Sequence, residues 1–318
     1  GNVASADGLQ LTGHPEASAH HFANVLFNNM RGGVFAHNHD VPGADLGDFV
    51  RTRNRSTARR QATFLQELPP KVGLNPLISA AERTGDPDLQ RLCYEYLPLH
   101  FGRRHGDPSR PWNKFSISSR DSDGELALNY EGNWRDIFQN WEALGTAFPG
   151  FLPNFVAKFV NASTVDGYNP YRLNRDGVAW ETVEPDDPWA NIGYWGDHQI
   201  IYLLKLLEGA HDQDPGILQS MLGNQVFSYA EVPYLIKPYR DILQDPSETI
   251  TFDDERAARI DERVQQRGSD GKLLTAPDGQ IYLANLFEKL LVPALSKLSN
   301  LIPEAGIWMN TQLSLIHI

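Results

Sequence analysis

Cysteine is nearly absent from this 318-residue chain. The lone Cys93 cannot form an internal disulfide, and its apolar-leaning surroundings, LQRLCYEYLPL, suit a buried bystander better than a nucleophile. That composition agrees with a reducing compartment, and a cytoplasmic location is the expectation. Long apolar runs are missing too: none reaches the eighteen or so residues that a membrane span needs. Basic side chains are outnumbered, 28 Lys and Arg against 40 Asp and Glu, for a formal net charge of -12. A chain so acidic is a poor match for a nucleic-acid backbone or an anionic membrane, so neither is expected as partner. A neutral or weakly charged ligand fits better.

Whole motif classes are lacking. There is no GxSxG elbow, no GxGxxG and no GxxxxGK[ST] loop, which removes support from esterase, dinucleotide and P-loop functions. No cofactor is implied. FAHNHD places His37, His39 and Asp40 together, with His14, His20 and His21 upstream. Without HExxH or paired CxxC, a His-x-His loop lacking a third ligand reads as structural, and no metal site is assigned.

Strand alternation is scarce, whereas helical periodicity recurs at roughly 16–30, 56–67, 74–84, 88–101, 133–147, 151–161, 197–209, 214–222, 253–266 and 281–299. The fold class expected is all-α. Two long stretches rich in Pro, Gly, Asn and Asp, 102–128 and 162–196, exceed what passive connections require, and such loops commonly shape a site. No short-period repeat, low-complexity tract or linker is visible, so a single domain over 1–312 is the simplest organisation. The last six residues, Leu313 to Ile318, spell LSLIHI, the translation of CTGTCTCTTATACACATC from a widely used transposase sequencing adapter. They are read as an artefact, with the gene product expected to continue past Gln312.

The stretch NYEGNWRDIFQNWEAL, 129–144, has almost no side that would normally meet water. Trp134, Ile137, Phe138, Trp141 and Leu144 form an apolar stripe, while Asn133, Asp136, Gln139 and Asn140 lie on another face that carries no Lys. A helix of this kind suits the inner wall of a closed ring of helices, its polar face lining a central cavity. The Leu-rich 281–299 helix, with Glu288, Lys289 and Lys297, reads as an outer, half-wet one. Ordinary solvent exposure of Asp136 and its neighbours is the plainer alternative.

Tryptophan is the best compositional clue. Six of the seven, Trp112, Trp134, Trp141, Trp180, Trp189 and Trp195, fall between 112 and 195, interleaved with Asp, Asn and Arg. Flat apolar faces stack on sugar rings while carboxylates, amides and guanidinium groups bond the hydroxyls. Trp134 and Trp141, spaced i and i+7 on the stripe, belong to the core on this reading, leaving one or two others as platforms. Asp136 is the preferred sugar-binding group, with Arg135, Gln139 and Asn140 close on the helix. Glu131 and Asn133 suit helix capping as well as ligand contact. In GYWGDHQ, Trp195, Asp197 and His198 precede an apolar run; Asp197 serves equally as an N-cap or a site residue. Asp166, Tyr168, Tyr171 and Arg172 of DGYNPYR supply loop groups suited to hydroxyls, or to a turn.

Taken in succession, GNWRDIFQN, DGYNPYRLNRDG, GYWGDHQIIYL and VPYLIKPYRD through TITFDD resemble ordered segments of the cellobiose and chitobiose phosphorylase family, over roughly residues 110–312. The first hundred residues add little beyond helical character. The resemblance implies an (α/α)6 toroid of six helical hairpins, incomplete at its C-terminus. It also implies inverting cleavage of a glycosidic bond by phosphate or water, with an oligosaccharide or disaccharide as substrate and phosphate as co-substrate. A homodimer is a possible assembly. Asp136 matches the family's Asp that holds the sugar in the cleaved subsite. Tyr130 replaces a family Arg, and Asn140 replaces a second Asp. The family's general acid lies further on than Gln312, so chain 1–318 is expected to be inactive and no catalytic residue is assigned. A noncatalytic carbohydrate-binding toroid is the alternative. A lyase acting on a uronate is weaker, because an acidic chain suits an anionic substrate poorly.

Overall fold

The computed structural model describes residues 13–100, 120–170, 172–182, 186, 194–195, 200–245 and 248–299. Among them the chain is helix-rich, with thirteen α-helices and only short strands. The helices are α1 (Pro15–Gly32), α2 (Gly43–Arg53), α3 (Arg55–Arg60), α4 (Ala62–Gln66), α5 (Leu74–Arg83), α6 (Pro87–Glu95), α7 (Trp134–Ala147), α8 (Leu152–Asn161), α9 (Ile200–Gln213), α10 (Pro215–Gly223), α11 (Tyr239–Gln244), α12 (Asp254–Arg267) and α13 (Leu286–Ser299).

Every residue of α8 is buried, and α6, α7, α9 and α13 pack around it. Its sequence, LPNFVAKFVN, alternates large apolar groups with Asn154, Lys158 and Asn161, so a polar row enters the core on the most enclosed helix. The apolar stripe of α7 meets it in an aromatic stack. Trp134 lies 4.5 Å from Phe159, Phe138 lies 4.7 Å from Phe159, and Trp141 stacks at 5.2 Å on Phe155, all measured between ring centroids. Trp134 and Trp141 are core residues, as their spacing implied. On its other side α7 meets α1 so closely that a Cβ at Gly32 would sit 2.5 Å from the Leu144 Cβ, and Trp141 Nε1 donates to the Gly32 carbonyl at 3.2 Å.

Several expected helices change at identifiable residues. The 56–67 helix is interrupted at Gln61, whose φ of -106° and ψ of 24° leave the helical region, giving α3 and α4. The 88–101 helix stops at Glu95. Tyr96 turns extended two residues ahead of Pro98, and Leu99–His100 instead pairs antiparallel with Val34–Phe35. Helix α2 lies in a Gly- and Asp-rich stretch where periodicity predicts nothing, and burial of Leu46, Phe49, Val50 and Arg53 stabilises it instead.

Helix α13 is half-exposed as expected, but Lys289 takes the buried side. Lys289 is 1 % exposed and donates to the Ser228 carbonyl at 2.7 Å and the Ser163 carbonyl at 3.3 Å, while Phe287, Leu291 and Leu295 face outward. Two carbonyl acceptors and the Tyr229 ring, 3.3 Å away, replace water around the ammonium. Burial holds the Lys289 proton affinity well below the ordinary lysine range.

A three-stranded antiparallel sheet orders the middle of the chain: β1 (Glu131–Asn133), β2 (Arg172–Asn174) and β3 (Gly177–Ala179), with β2 central. Its register sets Asn133 opposite Arg172 and Glu131 opposite Asn174. The ribbon of Asn169–Pro170 and Tyr194–Trp195 adjoins it in sequence, with Asn169 opposite Trp195.

Candidate functional site

The β1–β2 pairing gathers residues forty positions apart. Arg172 on β2 reaches Glu131 with Nη1 at 3.2 Å and Glu181 with Nη2 at 2.6 Å, so one guanidinium bridges two carboxylates. All three side chains keep between 12 % and 19 % of their surface in solvent. Burial works against the Arg172 charge, but Glu181 and Glu131 outweigh it and hold the group above its ordinary range. At the start of α7, Asn133 Nδ2 donates to Asp136 Oδ2 at 3.2 Å, which presents a part-buried carboxylate beside the same sheet edge. Tyr234 closes one flank, its hydroxyl donating to the Glu181 carbonyl at 2.9 Å. The cluster is dense in charged acceptors and donors, the equipment for hydroxyl-bearing ligands.

Other expected site residues divide. Tyr168 is buried, and Asn169, with its amide oxygen turned toward the indole, accepts from Trp134 Nε1 at 2.9 Å. Asn140 accepts from Arg31 of α1 at 3.4 Å, so it serves the contact between those helices, whereas Gln139 is exposed. Asp166 is exposed as well. Tyr171, Asp197, His198, Trp112 and Trp189 lie outside the described residues, as do the side chains of Arg135 and Trp195. Trp180 is partly buried, with the Lys272 ammonium 4.8 Å from its ring. Tyr130, which stands where the resembled family has an arginine, is a core residue edge-on to Trp141 at 5.4 Å. His39 packs 5.2 Å from the Phe148 ring, and among the described residues no three metal-ligating side chains converge.

Sequence reasoning missed the deepest polar structure. Arg53, Arg91, Glu95 and Asp270 form a closed square of charges, each with at most 3 % of its side chain exposed. Arg53 meets Glu95 at 2.6 Å and Asp270 at 2.8 Å; Arg91 meets Glu95 at 2.9 Å and also pairs with Asp270. Asn54 and Asn161 add donors to Asp270 and Glu95, at 3.2 Å and 2.8 Å. Desolvation alone would raise Glu95, yet Arg53 and Arg91 prevail and bring it down to about 2. The legible signal is Arg91 and Glu95 at i and i+4, the spacing of an ion pair on one helix, among Leu89, Leu92 and Cys93.

The square sits directly under the sheet. Lys158 of α8 donates to the carbonyls of Asn174 and Arg175, at 3.1 Å and 2.9 Å, and so grips the β2–β3 turn from below. Arg175 pairs with Asp45 at 3.0 Å, Ser269 Oγ donates to the Asp176 carbonyl at 2.7 Å, and Lys272 donates to the Val178 carbonyl at 3.0 Å. Four anchors therefore fix the hairpin that carries Arg172. Asp270 is itself placed by a close approach: Gly268, at φ 98°, leaves room where a Cβ would come within 2.4 Å of the Thr52 carbonyl oxygen.

Residues 35–98 match the family model described as glycoside hydrolase family 149 insertion domain 1. The matched segment spans α2 to α6 and contributes Asp45, which pairs with Arg175 of the hairpin, together with Arg53, Arg91 and Glu95 of the charge square. No curated protein matches the chain. The match supports a glycoside hydrolase family and a glycosidase-like enzyme.

Proposed function

We propose that this chain is part of a carbohydrate-active enzyme that cleaves a glycosidic bond with inversion, by phosphate or by water, and that its helices contribute to an (α/α)6 toroid. The observation that carries the reading is the Glu131–Arg172–Glu181 bridge with Asp136 beside it, because two segments picked out by the phosphorylase resemblance meet there. The match at 35–98 supports the same class independently, since it covers a different part of the chain.

On this reading Arg172 and its two carboxylates form a wall that binds sugar hydroxyls, and Asp136 holds the sugar whose bond is cleaved. An inverting phosphorylase needs one protein acid, because phosphate itself attacks the anomeric carbon; an inverting hydrolase needs a base as well. The resemblance puts the proton donor past Gln312. The substrate is an oligosaccharide or disaccharide, and phosphate is its co-substrate in the phosphorolytic form. The experiment is to incubate the full gene product with neutral oligosaccharides, with and without phosphate, and to identify the products. A sugar 1-phosphate formed only with phosphate supports phosphorolysis, and free sugar of inverted configuration supports hydrolysis. Failure of every oligosaccharide to react would reject the proposal, while turnover by chain 1–318 alone would reject the assignment of the acid.

A further inference from the structure

The run RTRNRSTARR, 51–60, is the densest positive stretch of an acidic chain, and its five arginines separate in space. Arg53 turns inward to the charge square. Arg60 turns to Asp86 and Asp88, at 3.1 Å from each. The remaining three, Arg51, Arg55 and Arg59, are four residues apart along α2 and α3 and line one groove of about 480 Å³, together with Ala58, Ala62, Leu65 and Gln66. Among the described residues no carboxylate lines it. Arg55 is anchored by a bond to the Gln265 carbonyl at the end of α12, which uses one of its five N–H donors. Arg51 meets Asp48 at 2.5 Å, with 58 % and 67 % of the two side chains exposed, a pairing that water and salt weaken. Arg59 is exposed.

We propose that this groove binds a small organic phosphate ester, its phosphate held by the three guanidinium groups and its ring set against the Ala and Leu side chains of the lining. Arginine forks match phosphate oxygens in pairs, and the apolar part of the lining distinguishes an ester from the bare ion. The volume falls in the usual range for a nucleotide-sized ligand. A long polyanion is disfavoured by the net charge of -12 surrounding a local patch. The inference rests on charge and shape at this groove and is independent of the glycosidase reading.

Calorimetric titration of chain 1–318 tests it with five probes, each titrated separately: adenosine 5′-monophosphate, glucose 6-phosphate, inorganic phosphate, and the unphosphorylated parents adenosine and glucose. At least one ester is expected to bind saturably, at least about tenfold more tightly than both its parent and inorganic phosphate, and more weakly as salt rises. Arg59→Glu, at an exposed position, is expected to abolish that binding while leaving the circular dichroism unchanged; Arg59→Lys is expected to retain part of it. Absence of saturation by about 10 mM for both esters would overturn the proposal. So would equal binding of parent and ester, equal binding of inorganic phosphate, or an unchanged affinity in a folded Arg59→Glu variant.

Discussion

Replacing Asp270 by Asn removes one corner of the charge square while nearly preserving its volume. The carboxylate is fully buried and accepts from Arg53 at 2.8 Å, from Asn54 at 3.2 Å and from Arg91. After substitution, two buried guanidinium groups keep Glu95 between them, with Asp88 3.7 Å from Arg91 and Lys158 close by, and no cavity is created to confuse the outcome. Breaking a buried pair in this way costs about 3–5 kcal/mol. At about 2.1 cal/mol/K of unfolding entropy per residue, that corresponds for 318 residues to a fall in Tm of roughly 4–8 °C. Urea denaturation followed by circular dichroism measures the difference, and the same experiment on Lys237→Ala provides the contrast. Lys237 pairs at 2.8 Å with Glu248, whose side chain is 70 % exposed, so its loss should cost under about 1 kcal/mol. If Asp270→Asn stayed within about 1 kcal/mol of the parent chain, the square would not hold these elements together, and the reasoning would fail.

Burial first, and the Arg53 charge second, bring Lys158 down to about 7 from an ordinary 10.5. Between those values the unfolded chain binds more protons than the folded one, so unfolding free energy should rise from pH 7 to pH 9; Lys158→Met should flatten that slope in part, Lys272 and Lys289 supplying the remainder with the same sign. Cys93, buried and pushed up to about 12, should react with a disulfide reagent only at the rate at which the chain opens, and an immediate native-state reaction would contradict its placement. Gly268→Ala should cost about 1–3 kcal/mol or more, because both a φ of 98° and the Thr52 and Arg53 carbonyls oppose it, whereas Gly85→Ala, at φ 67° with open space around it, should cost only about 1–2 kcal/mol. Equal losses in urea titrations of the two variants would remove the close approach from the account.

Local pattern made much of this molecule legible. The stripe of α7 predicted its buried face residue by residue, because period 3.6 reports which side meets the core. In the sequence, Glu131 and Arg172 share only the look of ligand groups; their contact depends on the strand register that sets Glu131 opposite Asn174 and Asn133 opposite Arg172, which no local pattern encodes. The charge square was hidden for the same reason. Asp270 lies 179 positions from Arg91, and in the sequence each looks like an ordinary solvated charge. Lys289 misled in the opposite direction, since a lysine among leucines suggests a wet face until two carbonyls are found to receive it.

Recognition of sugar at the Arg172 sheet edge is the central claim. Saturation-transfer NMR of chain 1–318 with a panel of neutral oligosaccharides, repeated on Arg172→Ala, tests it without requiring catalysis. Saturable binding of at least one oligosaccharide, lost in a variant that remains folded, is the predicted result; undiminished binding after loss of Arg172, or no binding across the panel, would contradict it.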